Sequence, residues 1–175
     1  MQAIRFIVDT LLTLYAVVLL LRLLLQLVRA DFRNPLAGAI LQLTNPVILP
    51  LRKLLPPLGK IDTATVAALV LCFVIKLWLG SLLFGVAAPA LLPLLRETLV
   101  ELVGLVLTTY LFSIFINAIL SFVAPGNYSP VQSLLAAICD PVLKPFRRLL
   151  PPIAGLDLSP LWACIAIQAL LILLR

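Results

Sequence analysis

Histidine is absent from all 175 residues of this chain, and charged residues make up only 11% of it. Without histidine there is no imidazole to act as a general base and none to complete a zinc site. The three cysteines form no CxxC pair. Cys72 and Cys164 lie in apolar runs and Cys139 in a connecting segment, so they read as small buried hydrophobes with no disulfide framework. GxSxG, HExxH and Walker-type phosphate loops are missing as well. Asp9, Asp62, Asp140 and Asp157 fall at the ends of apolar runs or between them, so no carboxylate pair stands inside a run. These absences exclude the usual hydrolytic, metal and nucleotide constellations. The expectation is a non-enzyme without cofactor or metal.

The scarcity of charge excludes a soluble domain. Such domains are about half apolar and a quarter charged, whereas 63% of this chain is hydrophobic. Folded in water it would expose large apolar patches; a bilayer removes that cost. The net charge of +6 does not point to nucleic acid. The basic residues form no long run and no patch interleaved with aromatics, so no nucleic-acid partner is expected. They gather where apolar segments stop, as in loops that face anionic headgroups.

A bilayer core of about 30 Å needs about 20 apolar residues in a helix. Four segments qualify: residues 4–28, 63–86, 99–123 and 160–174. The second continues as an apolar tail through Pro89 and Pro93, and the fourth is short. The first carries Arg22 and has no small-residue cleavage site after it, so it is expected to remain as a span. Arg29, Arg33, Arg52, Lys53 and Lys60 lie between the first and second segments, and Lys144, Arg147 and Arg148 between the third and fourth. Only Arg5, Arg96 and Arg175 stand near the other ends. This bias predicts two long cytoplasmic loops, with both termini outside.

Shifted by 95 positions, the chain aligns with itself without a gap. Tyr15 meets Tyr110, Pro35 meets Pro130, Pro46 meets Pro141 and Pro50 meets Pro145. Arg52 then meets Arg147, Pro56 and Pro57 meet Pro151 and Pro152, and Asp62 meets Asp157. Two greasy stretches would share leucines by chance, but not prolines, an arginine and an aspartate at fixed spacing. The expected organisation is two tandem repeats, 1–95 and 96–175, with the same orientation and a pseudo-axis along the membrane normal.

Each loop carries an ordered set of prolines. Asn34-Pro35 and Ser129-Pro130 read as a cap followed by the first helical residue. They predict short amphipathic interfacial helices over 35–44 and 130–139. Asn45-Pro46 and Asp140-Pro141 repeat that arrangement, and Pro50 and Pro145 predict a kink one turn later. The basic pairs Arg52–Lys53 and Arg147–Arg148 would then stand at phosphate level. The double prolines would end the element, and Asp62 and Asp157 would cap the next span. Three readings stay open for this motif. It is an interfacial bend anchoring two spans, a docking surface for anionic lipid or a partner, or part of an ion path.

Arg22 lies about 10 Å from the cytoplasmic end of its span and Lys76 about 21 Å into the second. Asp9 or Glu101 could pair with Lys76, and Arg22 with Asn117, its counterpart 95 positions on. Either these groups stitch helices together and snorkel, or, with Tyr15 and Tyr110, they form a polar seam for an ion or proton.

The Arg22-bearing first span followed by DFRNP, then TNPVILPLRKLLPPLGKID and its second form DPVLKPFRRLLPPIAGLDLSP, resemble the YggT family, related to the YlmG proteins of Gram-positive bacteria and plastids. The two-copy form looks like the proteobacterial branch. The resemblance implies a multi-pass protein of the inner membrane linked to osmotic-shock tolerance and to cation homeostasis. Plastid relatives are associated with haem attachment in cytochrome assembly and with nucleoid distribution, and Gram-positive relatives are encoded near division genes. The family supplies no catalytic residue to carry over.

Taken together, the sequence predicts an all-α membrane protein with about four transmembrane helices. It is a scaffold or assembly factor binding the bilayer, anionic headgroups, a membrane-protein partner or a second copy of itself; the alternative is a small ion channel or transporter.

Overall fold

The structure is a computed structural model that describes residues 2–59, 61–84, 90–123, 129–149 and 157–174. Lys60, Val86, Pro89, Pro151, Pro152 and Arg175, which figure in the expectations above, lie outside the described residues. The described chain folds into six helices: α1 (Gln2–Leu27), α2 (Pro35–Leu54), α3 (Thr63–Phe84), α4 (Leu91–Val123), α5 (Pro130–Leu149) and α6 (Ser159–Leu174). Three of them, α1, α4 and the Thr63–Leu82 stretch of α3, are long and apolar enough to cross a membrane. α6 is as apolar but has 16 residues, about 24 Å of rise against a core of about 30 Å.

α1 ends in a Schellman turn: Ala30 N–H donates to the Leu25 carbonyl at 2.9 Å, and Arg29 takes the left-handed conformation at φ 54°. Asn34 then caps α2, its Oδ1 accepting the Leu36 N–H at 2.9 Å. Ser129 caps α5 through the Gln132 N–H at 3.1 Å.

The two proline-bearing helices correct the expected short helices over 35–44 and 130–139. α2 runs on through Pro46 and Pro50, and α5 through Pro141 and Pro145, each for 20 residues. Asn45 and Asp140 are therefore helix-interior residues and not caps. Two things make the prolines tolerable. Proline removes the donor to the carbonyl four residues back, and with the prolines themselves four apart both losses fall on one face. In α2 that face is exposed, at Gln42, Pro46 and Pro50, where outside groups can satisfy the freed carbonyls. On the opposite face Thr44 and Ile48 are fully buried and hold the helix in register. α2 stops at Leu54 with extended Leu55 placed before Pro56, as the restriction on pre-proline residues requires.

The start of α4 is a second correction. Residues 91–98, expected in part as a tail of the second span, belong to α4, with Pro93 in its first turn where N–H groups have no helical acceptor anyway. Residues 95 and 96, on either side of the expected repeat boundary, lie in this helix. Cys139, expected in a connection, is buried in α5.

α1 packs mainly on α3 and α4 on α6, with α2 and α5 laid against their own pair. One core gathers Leu19, Leu20, Leu25, Ile48, Leu69 and Phe73. The other gathers Ile114, Cys139, Leu143, Ala163 and Ile167. The halves interlock because Leu134 and Ile138 of α5 enter the first core, and Tyr110 of α4 touches both. Asn34 Nδ2 adds a polar tie, donating to the Pro130 carbonyl at 2.8 Å and Ser133 Oγ at 3.3 Å.

Continuity of α2 through Pro46 has a direct check. Ile48→Ala should lower stability by about 2–4 kcal/mol, because a fully buried side chain leaves a cavity. Leu49→Ala, at a site 53% exposed, should change little. Equal effects in detergent-solubilised thermal unfolding would mean that the helix loses its phase at the proline.

Candidate functional site

Residues conspicuous in the sequence converge where α2 turns into α3. Gly59 takes the turn at φ 63°, a conformation that a side chain disfavours. Leu58 and Ile61 exchange two backbone hydrogen bonds of 3.1 Å. That reversal carries Arg52 to Asp62: Nη2 donates to Oδ2 at 2.5 Å and Nε to the same oxygen at 3.2 Å. The Thr65 hydroxyl donates to Oδ2 at 2.8 Å. Asp62 is fully buried. Burial pushes its pKa up, but the bonds from Arg52 and Thr65, with the nearby Arg22, outweigh that and hold the carboxyl below its ordinary range.

Arg22 completes this cluster from α1 and is only 2% exposed. Nη1 donates to Thr44 Oγ1 at 2.6 Å and to Asn45 Oδ1 at 2.9 Å, and the Thr44 hydroxyl passes a bond on to the Ile40 carbonyl at 2.7 Å. The Arg22 Nε has no hydrogen-bond partner. Arg22 does not reach Asn117, which hydrogen-bonds to no described side chain. Thr44 and Asn45 were not legible as its acceptors, since nothing in a 22-residue separation marks them.

The second half repeats the strap with altered charge. Arg147 Nε donates to Asp157 Oδ2 at 2.9 Å, and Nη1 to Asp140 Oδ1 at 3.1 Å. Asp157 also caps α6 by accepting the Ser159 N–H at 2.9 Å. Burial acts to raise the Asp157 pKa, but the Ser159 and Arg147 bonds prevail and lower it. Where the first cluster has two guanidiniums to one carboxylate, the second has one guanidinium to two carboxylates. It is also more open, with 43% and 41% of the Arg147 and Asp157 side chains exposed, against none of Asp62. Burial, with Asp140 beside it, pushes the Cys139 thiol up to about 12, so it stays protonated at neutral pH.

Of the four basic docking candidates, Arg52 and Arg147 are therefore engaged by carboxylates, while Lys53 and Arg148 stand exposed with Lys144. Pro56 and Pro57 follow α2 directly, and the Pro56 carbonyl accepts the Thr63 hydroxyl at 2.8 Å.

Lys76 belongs to a separate cluster. Its Nζ meets Glu101 Oε2 at 2.6 Å, tying α3 to α4, and lies 5.4 Å from the Phe73 ring centroid. Asp9 pairs with Arg5 at 3.3 Å. The Cys72 thiol touches the Leu12 carbonyl at 3.4 Å. Antiparallel rise from that level puts Arg22 and Lys76 about 20 Å apart along the helices. Tyr15 and Tyr110 pack against the first core and hydrogen-bond to no described side chain.

The CCB3/YggT family model matches residues 1–83 and again residues 96–175. An uncharacterized protein of Pseudomonas aeruginosa is 41% identical over 164 residues, covering 93% of this chain and 83% of the relative. The YggT protein of Escherichia coli is 34% identical over 165 residues, covering 92% and 83%. A chloroplast YlmG homolog of Arabidopsis thaliana is 40% identical over 45 residues, 26% of this chain and 18% of the relative. No solved structure matches. The chain belongs to the CCB3/YggT family.

The two straps should differ in strength. Arg52→Ala leaves a fully buried carboxylate with one hydroxyl and should cost about 3 kcal/mol, the low end for a buried pair because Arg52 is itself partly exposed. Arg147→Ala should cost about 1 kcal/mol or less. The pH dependence follows from the depressed Asp62 pKa. Its contribution is present above the ordinary carboxyl value of 3.8 and is lost as pH falls through the lower folded value. Melting temperatures of wild type and Asp62→Asn across acid pH check this: the variant should lack the part of the acid-side fall that belongs to Asp62.

Proposed function

We propose that this CCB3/YggT-family protein is a non-enzymatic scaffold of the inner membrane, built from two tandem copies of one membrane hairpin and contributing to osmotic-stress tolerance. In this reading α6 is the fourth span, and α2 and α5 lie at the cytoplasmic interface with both termini outside. The observation that carries it is the inward use of the motif's arginines. Arg52 and Arg147 bind the carboxylates at the starts of α3 and α6, so the proline-bearing helices are braced frames. Lys53, Lys144 and Arg148 then project from a fixed base toward anionic headgroups or a partner's acidic surface. Each contributes about 1 kcal/mol of attraction to an anionic membrane surface.

A second reading rests on Lys76 and Glu101, a charge pair within the apolar helices. Ionisable groups at such depth mark ion or proton pathways in many membrane proteins. It is the weaker reading because Arg22 and Lys76 lie in separate clusters, and no hydrogen bond among the described residues links one to the other.

Two variants separate the readings. Lys53→Ser/Lys144→Ser/Arg148→Ser should abolish crosslinking to partners and protection from osmotic shock in a host lacking its own family member. It should leave potassium and sodium flux in proteoliposomes at the wild-type level. Lys76→Leu should preserve protection. If Lys76→Leu instead removes a measurable flux together with protection, the scaffold is wrong and the protein transports ions.

A further inference from the structure

At the seam between the halves two cavities adjoin, and Leu134 lines both. The first, about 470 Å³, lies beyond the C-terminal end of α1 and is lined in part by Asp31, Arg33, Asn34 and Ser133. The second, about 290 Å³, is almost wholly apolar and runs along α1 past Leu25, Leu21 and Val18, walled by Ile40 of α2 and Leu135 of α5. From Leu25 to Val18 helical rise covers about 10 Å, toward the middle of a helix apolar enough to cross a membrane. A charged mouth at a span's end thus lies beside an apolar groove directed along that span, with Leu134 shared between them. A folded partner would need a rod with that polarity; a phospholipid has it already.

The mouth holds one carboxylate and one guanidinium. Asp31 Oδ1 accepts the Arg33 N–H at 2.9 Å, which sets the two side chains on a tight turn. Among the described residues nothing else engages the second Asp31 oxygen or the Arg33 guanidinium. We infer that this seam is a binding site for a zwitterionic phospholipid with a primary-ammonium headgroup. The phosphate sits at Arg33, the ammonium donates to Asp31, and an acyl chain fills the groove between α2 and α5. A guanidinium suits a phosphate through paired N–H donors. A primary ammonium offers three charged donors to a carboxylate, whereas a quaternary choline head offers none, and a glycerol head offers only neutral hydroxyl donors with no cation to match the Asp31 charge. The bound lipid would bridge the seam that Asn34 already ties to Pro130 and Ser133, so it joins the halves. The inference requires only that the spans lie in a bilayer and stands apart from the scaffold reading.

Native mass spectrometry of the full chain in detergent tests it, with dioleoyl lipids carrying ethanolamine, choline or glycerol headgroups titrated in turn. Wild type should retain the ethanolamine lipid about tenfold over the other two, the worth of one charge-assisted hydrogen bond. Asp31→Asn, at an exposed site where the amide oxygen can still accept the Arg33 N–H, should erase that preference while choline-lipid binding persists. Ala39→Trp, which fills the groove, should reduce retention of all three, with circular dichroism confirming the helices. Equal retention of the three lipids by wild type, preference for the glycerol lipid, or an ethanolamine preference that survives Asp31→Asn would each overturn the assignment.

Discussion

Asp62 has no contact with solvent and stands where the polypeptide reverses from α2 into α3. A carboxylate in that position is tolerable only if its charge is matched at once, and the Arg52 guanidinium matches it in two-point geometry. Much of the first half depends on that pair. It brings the end of α2 to the start of α3, which seats Thr44 and Ile48 against α1. Thr44 and Asn45 can then receive Arg22, a guanidinium that would otherwise be buried without acceptors. The prolines in α2 belong to the same arrangement, since the helix is held by its buried face while its exposed face carries the broken bonds.

The second half keeps the strap and reverses the balance of charge around it. Asparagine replaces arginine at 117, aspartate replaces asparagine at 140, and the Arg147–Asp157 pair is left more open. An excess cation enclosed in one half and an excess anion near the surface in the other make the halves electrostatically unequal although their helices share a plan. The unequal halves meet along α5, whose Leu134 and Ile138 complete the first core and whose N-terminal end borders the charged mouth at the seam.

Several features were legible before the fold was known. Apolar runs at Ile4, Thr63 and Leu99 announce helices because only a helix satisfies its own backbone in hydrocarbon. Asn34 and Ser129 announce their helices because a cap acts on the next few residues. The extent of α2 and α5 was not legible. Proline's local cost argues for a break at Pro46 and Pro141, and burial of Ile48 and Leu143 on the far face outweighs it. Arg52 and Arg147 were read as phosphate-facing by the same local logic, because a basic residue after an apolar helix commonly snorkels. Arg52 meets Asp62, and Arg147 meets Asp140 and Asp157, instead.

By itself the sequence determined that the chain is apolar beyond what water tolerates, that its motifs recur 95 residues apart, and that it carries the marks of its family. Those properties are written in composition, short-range spacing and order, which any conformation of the chain preserves. Only the tertiary structure decided which charges meet: Arg52 with Asp62, Arg22 with Thr44 and Asn45, Lys76 with Glu101, and Asn34 with the start of α5. The physical reason is that a charge's partner depends on distance through space and on the cost of leaving it unpaired. Both quantities come into being when helices pack and turns close.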